Sequence, residues 1–387
     1  MKLCFFDFTI NFGGAPQGSL YLMKRLKDAG YDCYIIDAYG ISAQYKARVA
    51  AYDLDYYVLY KEAQDVTIGH LDNKLFRVSN AIAQLPTLSK LTLKLIRYLK
   101  RIKPDIILVN NYKSLVFLNI ARKFVNFKVI LYFRGEGTDS QLSNRFIKAL
   151  RKRTDFVITH SKLAVENLER KGLSKSHIGY IPNCIEKSKL EKPVLVNEIL
   201  SSNKFKVILT AARPVKEKGH DVAIEAVYLL KLQGYSIDLF LPGSTPTGID
   251  DSYERYLREL IAQYDLESDI HFIGWRDNLI ADIASCDLVI LPSHTEGFPR
   301  TIIEAMVQGI PVCATPVGGI PEAIEHMQTG ILFDIGDVKG LANSIRLLID
   351  DVDLYQDIST NAREFSREYF HPDKNTNGII NILEKIG

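Results

Sequence analysis

No apolar run in this chain approaches the roughly 20 residues that cross a bilayer, and Leu3–Phe8, after Met1-Lys2, is too short for the core of a signal peptide. A cytoplasmic setting is therefore expected. Cysteine is sparse and scattered: Cys4, Cys33, Cys184, Cys286 and Cys313 are odd in number and mostly set in apolar stretches, which argues against a disulfide or zinc framework and predicts reduced core thiols. The Gly13-Gly14 loop lacks the G-x-G-x-x-G of a dinucleotide enzyme, which disfavours a dehydrogenase. Neither G-x-x-x-x-G-K-S/T nor a credible G-x-S-x-G occurs, so nothing points to a nucleotide hydrolase or an acyl hydrolase. Internal repeats and low-complexity tracts are missing as well.

What is present suggests two domains, since 387 residues exceed one ordinary core. Hydrophobic residues at 47% and charged residues at 24% are ordinary for a globular chain. The net charge of +2 hides a division: residues 1–190 hold 31 Lys and Arg against 16 Asp and Glu, and residues 191–387 hold 17 against 30. The first part is thus +15 and the second −13, so the basic part is expected to face something anionic.

The chain alternates apolar strands with amphipathic helices, the rhythm of a parallel doubly wound sheet. Strands are predicted at Lys2–Phe8, Asp32–Asp37, Asp105–Val109, Lys128–Phe133, Asp155–Thr159 and His177–Ile181. The first runs through Gly13-Gly14, whose backbone N–H groups can point at a diphosphate, into a helix of about Pro16–Ala29. Leu88–Lys103 places Leu88, Leu91, Leu95, Leu99 and Ile102 on one stripe with Lys90, Lys94, Arg97, Lys100, Arg101 and Lys103 around it. Two readings stand: a core-facing helix with a solvated basic side, or a basic face resting on an anionic bilayer, which the second cluster at Arg145–Arg153 favours. The rhythm is lost over Glu186–Asn203, the expected linker. Strands resume at Phe205–Ala212, Ile237–Leu241, Ile270–Ile273 and Leu288–Leu291, and a last helix is expected at Pro372–Ile386.

The most informative stretch is Leu291–Glu322, LPSHTEGFPRTIIEAMVQGIPVCATPVGGIPE. It reads as strand, turn, helix Arg300–Gln308, short strand Val312–Thr315, and a Gly318-Gly319 turn. Glu296 and Glu304, with seven residues between them, bracket the first turn and can point into one crevice beyond the strand's carboxyl end. Gly297 permits close approach of a ligand, and Phe298 and Pro299 stiffen the loop.

This segment resembles the E-x7-E donor signature of retaining glycosyltransferases of family 4 (group 1). The resemblance implies an α/β GT-B fold, two Rossmann-like βαβ domains facing each other across a cleft. It implies a first, acceptor-side domain at 1–188, a nucleotide-sugar-binding domain at 189–369, and a final helix, 370–387, crossing back to the first domain. By resemblance Glu304 meets the ribose, while Glu296, with the backbone at Gly297 and Phe298, meets the sugar hydroxyls; Pro299 belongs to the same donor loop. Arg213 and Lys218 resemble the R-x4-K pair that holds the donor's diphosphate, with Ala212 where glycine is usual. Gly13 and Gly14 match the family's Gly-Gly donor loop. Gly274-Trp275-Arg276 matches a glycine turn near the nucleobase, and Trp275 is read either as a donor contact or as a packing residue. Where the family often has histidine stands Arg134, so Arg134 and Glu136 are candidates by position, and Ile181-Pro182-Asn183-Cys184 matches a Pro-Asn-Gly turn with Cys184 in place of glycine. The catalytic set so implied is Glu296, Arg213, Lys218 and Arg134.

One class of glycosyltransferases holds manganese with Asp-x-Asp, but Asp53-x-Asp55 and Asp351-x-Asp353 lie in charged, irregular or helical stretches away from any glycine turn, and no metal is assigned. The expected substrates are a UDP- or GDP-sugar, with no cofactor, and a saccharide or lipid-linked acceptor in cell-surface polysaccharide synthesis. An anionic membrane surface at the inner face of the plasma membrane is a further expected partner of the basic domain; nucleic acid is not. Two competing readings are a sugar-nucleotide epimerase, and a non-catalytic carbohydrate-binding or scaffold protein, on the same architecture.

Overall fold

The computed structural model describes residues 1–10, 12–61, 74–191, 203–210, 213–245, 250–276 and 278–387. They form two compact units: Met1–His160 with Val165–Ile181 and Thr376–Gly387, and Ser161–Ala164 with Pro182–Asn375.

The first unit holds β1 (Lys2–Asp7), α1 (Gly14–Asp28), β2 (Asp32–Asp37), α2 (Ala43–Ala51), β3 (Asp55–Val58), α3 (Lys74–Ile102), β4 (Ile106–Val109), α4 (Tyr112–Ala121), β5 (Lys128–Phe133), α5 (Asn144–Arg153), β6 (Phe156–Thr159), most of α6 (Lys162–Arg170) and β7 (Ile178–Tyr180). The strands form one parallel sheet in the order β3-β2-β1-β4-β5-β6-β7. Strands buried on both faces carry unbroken apolar runs, as Ile106–Val109 does. Leu3, Phe5, Ile35, Ile106, Leu108 and Ile130 pack with Leu20, Met23 and Leu26 of α1, and with Ile379 and Leu383 from the last helix. β3 escapes sequence reading because it is an edge strand whose Asp55-Tyr56-Tyr57-Val58 is only partly covered.

α3 starts earlier than Leu88 and carries Pro86 within it. Leu91, Leu95 and Leu99 are fully buried, each contributing about 1.5–3 kcal/mol of hydrophobic free energy, so the apolar stripe faces the core. Lys90, Arg97, Lys100 and Arg101 are exposed on the other side. The basic residues also lie over aromatic rings: Lys94 Nζ is 4.9 Å from the Tyr60 centroid and the Arg101 guanidinium 4.9 Å from that of Tyr98. Among the described residues no helix is long and apolar enough to cross a membrane.

The second unit contains α7 (Lys187–Glu191), β8 (Phe205–Leu209), α8 (His220–Leu232), β9 (Ile237–Pro242), α9 (Ser252–Gln263), β10 (Ile270–Gly274), α10 (Leu279–Ala284), β11 (Leu288–Leu291), α11 (Arg300–Gln308), β12 (Val312–Ala314), α12 (Ile320–Ala323), β13 (Ile331–Leu332), α13 (Val338–Asp350) and α14 (Val352–Tyr369). α15 (Pro372–Ile386) begins here, and from Thr376 it counts with the first unit. The sheet is again parallel, in the order β10-β9-β8-β11-β12-β13. Alternation along the strands splits the core into two layers: Val207, Leu209, Leu288 and Ile290 face one side, and Ile208, Val289 and Leu291 the other.

In both sheets the chain order reverses beside the first strand, between β1 and β4 and between β8 and β11. Open α/β sheets bind ligands at the carboxyl ends of strands flanking such a reversal. The loops after β1, β8 and β11 carry Gly13-Gly14, Arg213 with Lys218, and Glu296–Pro299, while Arg134 follows β5 and Trp275 follows β10.

The expected linker needs a correction. Glu186 is buried, Lys187–Glu191 is helix α7, and Leu190 packs on the core of the second unit. The charge-rich composition that suggested a connector here serves ion pairs instead. The stretch 192–202, with Ala211 and Ala212 at the end of the expected strand Phe205–Ala212, lies outside the described residues.

Asp53 pairs with Lys27 at 2.7 Å, and Asp351 caps α14 by accepting from Leu354 N at 2.9 Å. All five cysteines are buried thiols. Burial pushes Cys33 and Cys286 up to about 12, which keeps them protonated and unreactive at neutral pH.

Candidate functional site

The second unit's crevice begins where β8 and β11 end. After β11 the chain runs through Pro292–Pro299 into α11, whose N-terminal residue Pro299 offers no side-chain cap. After β8 it passes exposed Arg213 and a single 3-10 turn, Lys216–Lys218, to Gly219, which holds φ +66°. The two loops touch directly, with His294 N donating to Glu217 O at 2.8 Å. A Cβ on Gly219 would sit 2.1 Å from Pro292 O, so only glycine permits this approach.

That contact brings two predicted residues together. Lys218 Nζ donates to Glu296 Oε1 at 2.6 Å, and Ser293 Oγ donates to the same oxygen at 2.9 Å. The Glu296–Phe298 backbone is held from the opposite side by the Gly318-Gly319 turn. Gly319 N donates to Gly297 O at 2.7 Å, and a Cβ on Gly318 would meet Glu296 O at 2.1 Å. Asn183 Nδ2 adds a bond to Phe298 O at 2.8 Å, and Thr315 Oγ1 one to Ser293 O at 2.5 Å. The Phe298 ring lies in the core, edge-on to Phe370 at 5.6 Å. Phe298 therefore offers the site backbone and not its ring.

Glu304, on the second turn of α11, is only 8% exposed. Its partner is Lys189 of α7, whose Nζ lies 2.6 Å from Oε1. Sequence reasoning missed Lys189, having placed it in a connector, and the pairing spans 115 residues. Missed too were Ser293, Asn183 and the Thr210 Oγ1 to Thr301 Oγ1 bond of 2.9 Å, which ties the end of β8 to the first turn of α11.

At the start of α8, His220 is 1% exposed, and burial pushes it down to about 4, with Lys218 pushing the same way against Asp221. A neutral imidazole therefore sits beside the Lys218 loop. Trp275 is half exposed, just past Gly274 at the end of β10. Gly243 N donates to Gly274 O at 2.7 Å, and Asp282 clamps Arg276 through two bonds of 2.8 Å. β9 and β8 separate β10 from β11, so Trp275 belongs to a different part of the crevice from the Glu296 loop.

In the first unit Gly13 caps α1 without a side-chain bond, and a Cβ added to Gly13 or Gly14 would meet nothing within 4 Å, so the turn is open to a ligand. Asn11 of this loop lies outside the described residues. Arg134, past the end of β5, donates from Nη2 to Ser19 Oγ of α1 at 3.0 Å and from Nε to Asn110 Oδ1 at 3.4 Å. The guanidinium is thereby fixed at the carboxyl ends of the central strands. Asp7, at the end of β1, accepts from Phe8 N at 2.8 Å and from Asn111 Nδ2 at 2.7 Å. Burial pushes Asp7 up to about 6, with nearby Asp37 adding to the rise and Arg134 opposing it.

Comparison with known proteins adds to this geometry. The chain matches the model of the glycosyl transferases group 1 over residues 192–365 and that of Glycosyltransferase Family 4 over residues 12–189. It is 37% identical to the N-acetyl-alpha-D-glucosaminyl L-malate synthase of Bacillus anthracis, over 30% of this chain and 30% of that protein. It is 34% identical to the putative colanic acid biosynthesis glycosyltransferase WcaL of Salmonella typhimurium, over 46% of this chain and 45% of that protein. The chain thus spans less than half the length of these two curated relatives. Among solved structures, Anabaena Alr3699/HepE in complex with UDP-glucose superposes with a TM-score of 0.81 at 22% identity, all of both chains being covered. The two parallel sheets, the Lys218–Glu296 loop pair and the two family matches lead to one conclusion: the chain belongs to the family 4, group 1 glycosyltransferases, on the GT-B fold.

Proposed function

We propose that the chain is a retaining, metal-independent glycosyltransferase. It takes a sugar from a UDP- or GDP-sugar held by the second unit and transfers it to a saccharide or lipid-linked acceptor held by the first, in assembly of a surface polysaccharide. The observation that carries this reading is the Lys218–Glu296 contact of 2.6 Å at the β8–β11 reversal. It brings a cation able to bind phosphate next to a carboxylate able to accept from sugar hydroxyls. The relation to a colanic acid glycosyltransferase supports the polysaccharide setting, and the likeness to a fold that holds UDP-glucose supports a nucleotide-sugar donor.

An ammonium has three N–H donors, so Lys218 can hold Glu296 and still donate to a diphosphate, with exposed Arg213 as the second cation. In this reading Glu296 and the Gly297–Phe298 backbone meet the sugar hydroxyls, and Glu304 the ribose. Trp275 lies against the base. The bond from C1 to the β-phosphate oxygen breaks as the acceptor oxygen bonds C1 on the same face, and the acceptor's proton passes to the departing phosphate. Fixed cations are needed where that phosphate's negative charge develops. Arg134, fixed by Ser19 and Asn110, is the candidate on the acceptor side.

The test is turnover, or slow hydrolysis, of a panel of UDP- and GDP-sugars in excess EDTA. Full activity with one of them is expected, because Arg213 and Lys218 supply the charge a metal would bring. Loss of activity restored only by Mg²⁺ or Mn²⁺ contradicts metal independence. Isomerisation of the sugar nucleotide with no acceptor would mark an epimerase, and nucleotide binding without any turnover a non-catalytic protein.

The excess of basic residues in 1–190 favours an acceptor that is anionic or borne by an anionic membrane. On and beside α3, exposed Lys90, Arg97, Lys100 and Arg101 lie with Leu93 and Phe124, which are 55% and 56% exposed. Each such cation contributes on the order of 1 kcal/mol near an anionic surface, and the attraction fades within a Debye length of about 8 Å at physiological salt. Co-sedimentation with anionic vesicles should fall at high salt and in a variant with Lys94, Arg97, Lys100 and Arg101 changed to Gln. Equal binding to neutral and anionic vesicles, or binding to neither, would instead favour an acceptor free in solution.

A further inference from the structure

Glu304 and Lys189 form one rung of a short charge ladder between α7 and α11. The other rung is Glu186 to Arg300 at 3.6 Å, with side chains 11% and 13% exposed. From Glu186, just ahead of α7, to Lys189 within it the signs run minus then plus, and along α11 from Arg300 to Glu304 plus then minus, so the two pairs run in the same order. α7 is anchored independently of them: Ile185 N, just ahead of it, donates to Phe370 O at 3.2 Å, and Leu190 packs on the core. A pair whose side chains are 24% and 11% exposed loses much of its hydration, and such pairs are weak contributors to stability compared with apolar residues of the same shape. The ladder therefore calls for a role other than holding α7 in place, which the apolar contacts already do.

The geometry of the carboxylate supplies that role. A carboxylate has two oxygens and about four lone-pair sites. Lys189 engages Oε1, which fixes the plane and rotation of the group and leaves Oε2 as an acceptor. We propose that Lys189 is a positioning residue for the transfer reaction: its ammonium, 2.6 Å from Glu304 Oε1, aims the other oxygen at the ribose hydroxyls of the donor nucleotide. This rests on the donor reading of the second unit given above. Lys189 lies just ahead of residues 192–365, the range matched to the group 1 family, so the segment before that range completes its ribose contact.

The test is a calorimetric titration of the whole chain with UDP, GDP and their 2′-deoxy forms. The variants are Lys189→Met, Lys189→Arg, Glu304→Gln and the double variant Lys189→Met/Glu304→Gln. The wild type should prefer the ribonucleotide. In Lys189→Met its affinity should fall roughly 10-fold, the size typical of losing a group that orients a ligand-binding residue, while the 2′-deoxy form is barely affected. Lys189→Arg should recover most of that loss, and adding Lys189→Met to Glu304→Gln should cost little more. A merely structural lysine would lower the melting temperature without changing the preference between ribo- and deoxyribonucleotide. Should Lys189→Met fail to fold, the same comparison is made with Lys189→Gln, which keeps a polar head. If Glu304→Gln loses the ribose preference and Lys189→Met keeps it, the role of Lys189 is overturned while the donor site stands. If the wild type binds neither UDP nor GDP, the donor site falls and this proposal with it.

Discussion

Replacing Lys218 with alanine should lower kcat/KM by about 100- to 1000-fold, the size seen when one fixed group facing transition-state charge is removed. Two effects combine. In the proposed reaction the leaving diphosphate would lose a cation where its charge grows, and Glu296, whose side chain is only 14% exposed, loses its ion-pair partner at 2.6 Å. Leaving a buried charged group unpaired is itself costly, on the order of 1–3 kcal/mol or more. Part of the defect should thus appear as weaker nucleotide binding, and part as a kcat loss that saturating donor does not restore. Lys218→Arg should recover some affinity but less of kcat, because a planar guanidinium cannot occupy the same point as a compact ammonium. Steady-state kinetics on the best donor, with melting curves to confirm folding, decide the matter. A variant within a few-fold of the wild type would remove Lys218 from the phosphate site.

The second large effect should come from a residue that touches no substrate. Gly318 holds φ +57°, and a Cβ there would lie 2.1 Å from Glu296 O and 2.5 Å from Gly297 O, both backbone atoms. Gly318→Ala must therefore push the donor loop by more than an ångström as well as bear about 1–2 kcal/mol of left-handed backbone strain. A misplacement of that size in a reacting site costs on the order of 100-fold, so activity should fall by at least that much while most of the fold survives. Gly336→Ala is the matched control: it holds φ +74° but has nothing within 4 Å of the added Cβ. It should carry the strain without the loss of activity. Equal kinetics in the two variants would show that the Glu296 loop does not need its present position.

These expectations depend unequally on sequence and structure. β2, β5, β11, α11 and α15 have the bounds that sequence patterning predicts, because each is a clean apolar or amphipathic run ended by turn residues. β3 does not, since an edge strand need not be apolar throughout. The E-x7-E frame and its glycines were legible because close backbone approaches leave only glycine at Gly219 and Gly318. The pairings were not legible. Lys218 meets Glu296 across 78 residues and Lys189 meets Glu304 across 115, and nothing local in the chain announces either contact. The fate of the Phe298 ring was equally hidden, since an aromatic in a glycine-rich loop reads the same whether it covers a ligand or enters the core, as it does here.

The central claim is that the crevice beyond β8 and β11 binds a nucleoside diphosphate through Lys218 and Glu304. The most direct test is calorimetric titration of the intact chain and of Lys218→Ala and Glu304→Ala with UDP and with GDP, in EDTA. A charged hydrogen bond is worth about 1.5–3 kcal/mol, roughly 10- to 150-fold in affinity. Saturable one-to-one binding of one of the two nucleotides is expected, weakened by that factor in each folded variant. Unchanged affinity in both variants, or no binding of either nucleotide by the wild type, would contradict it.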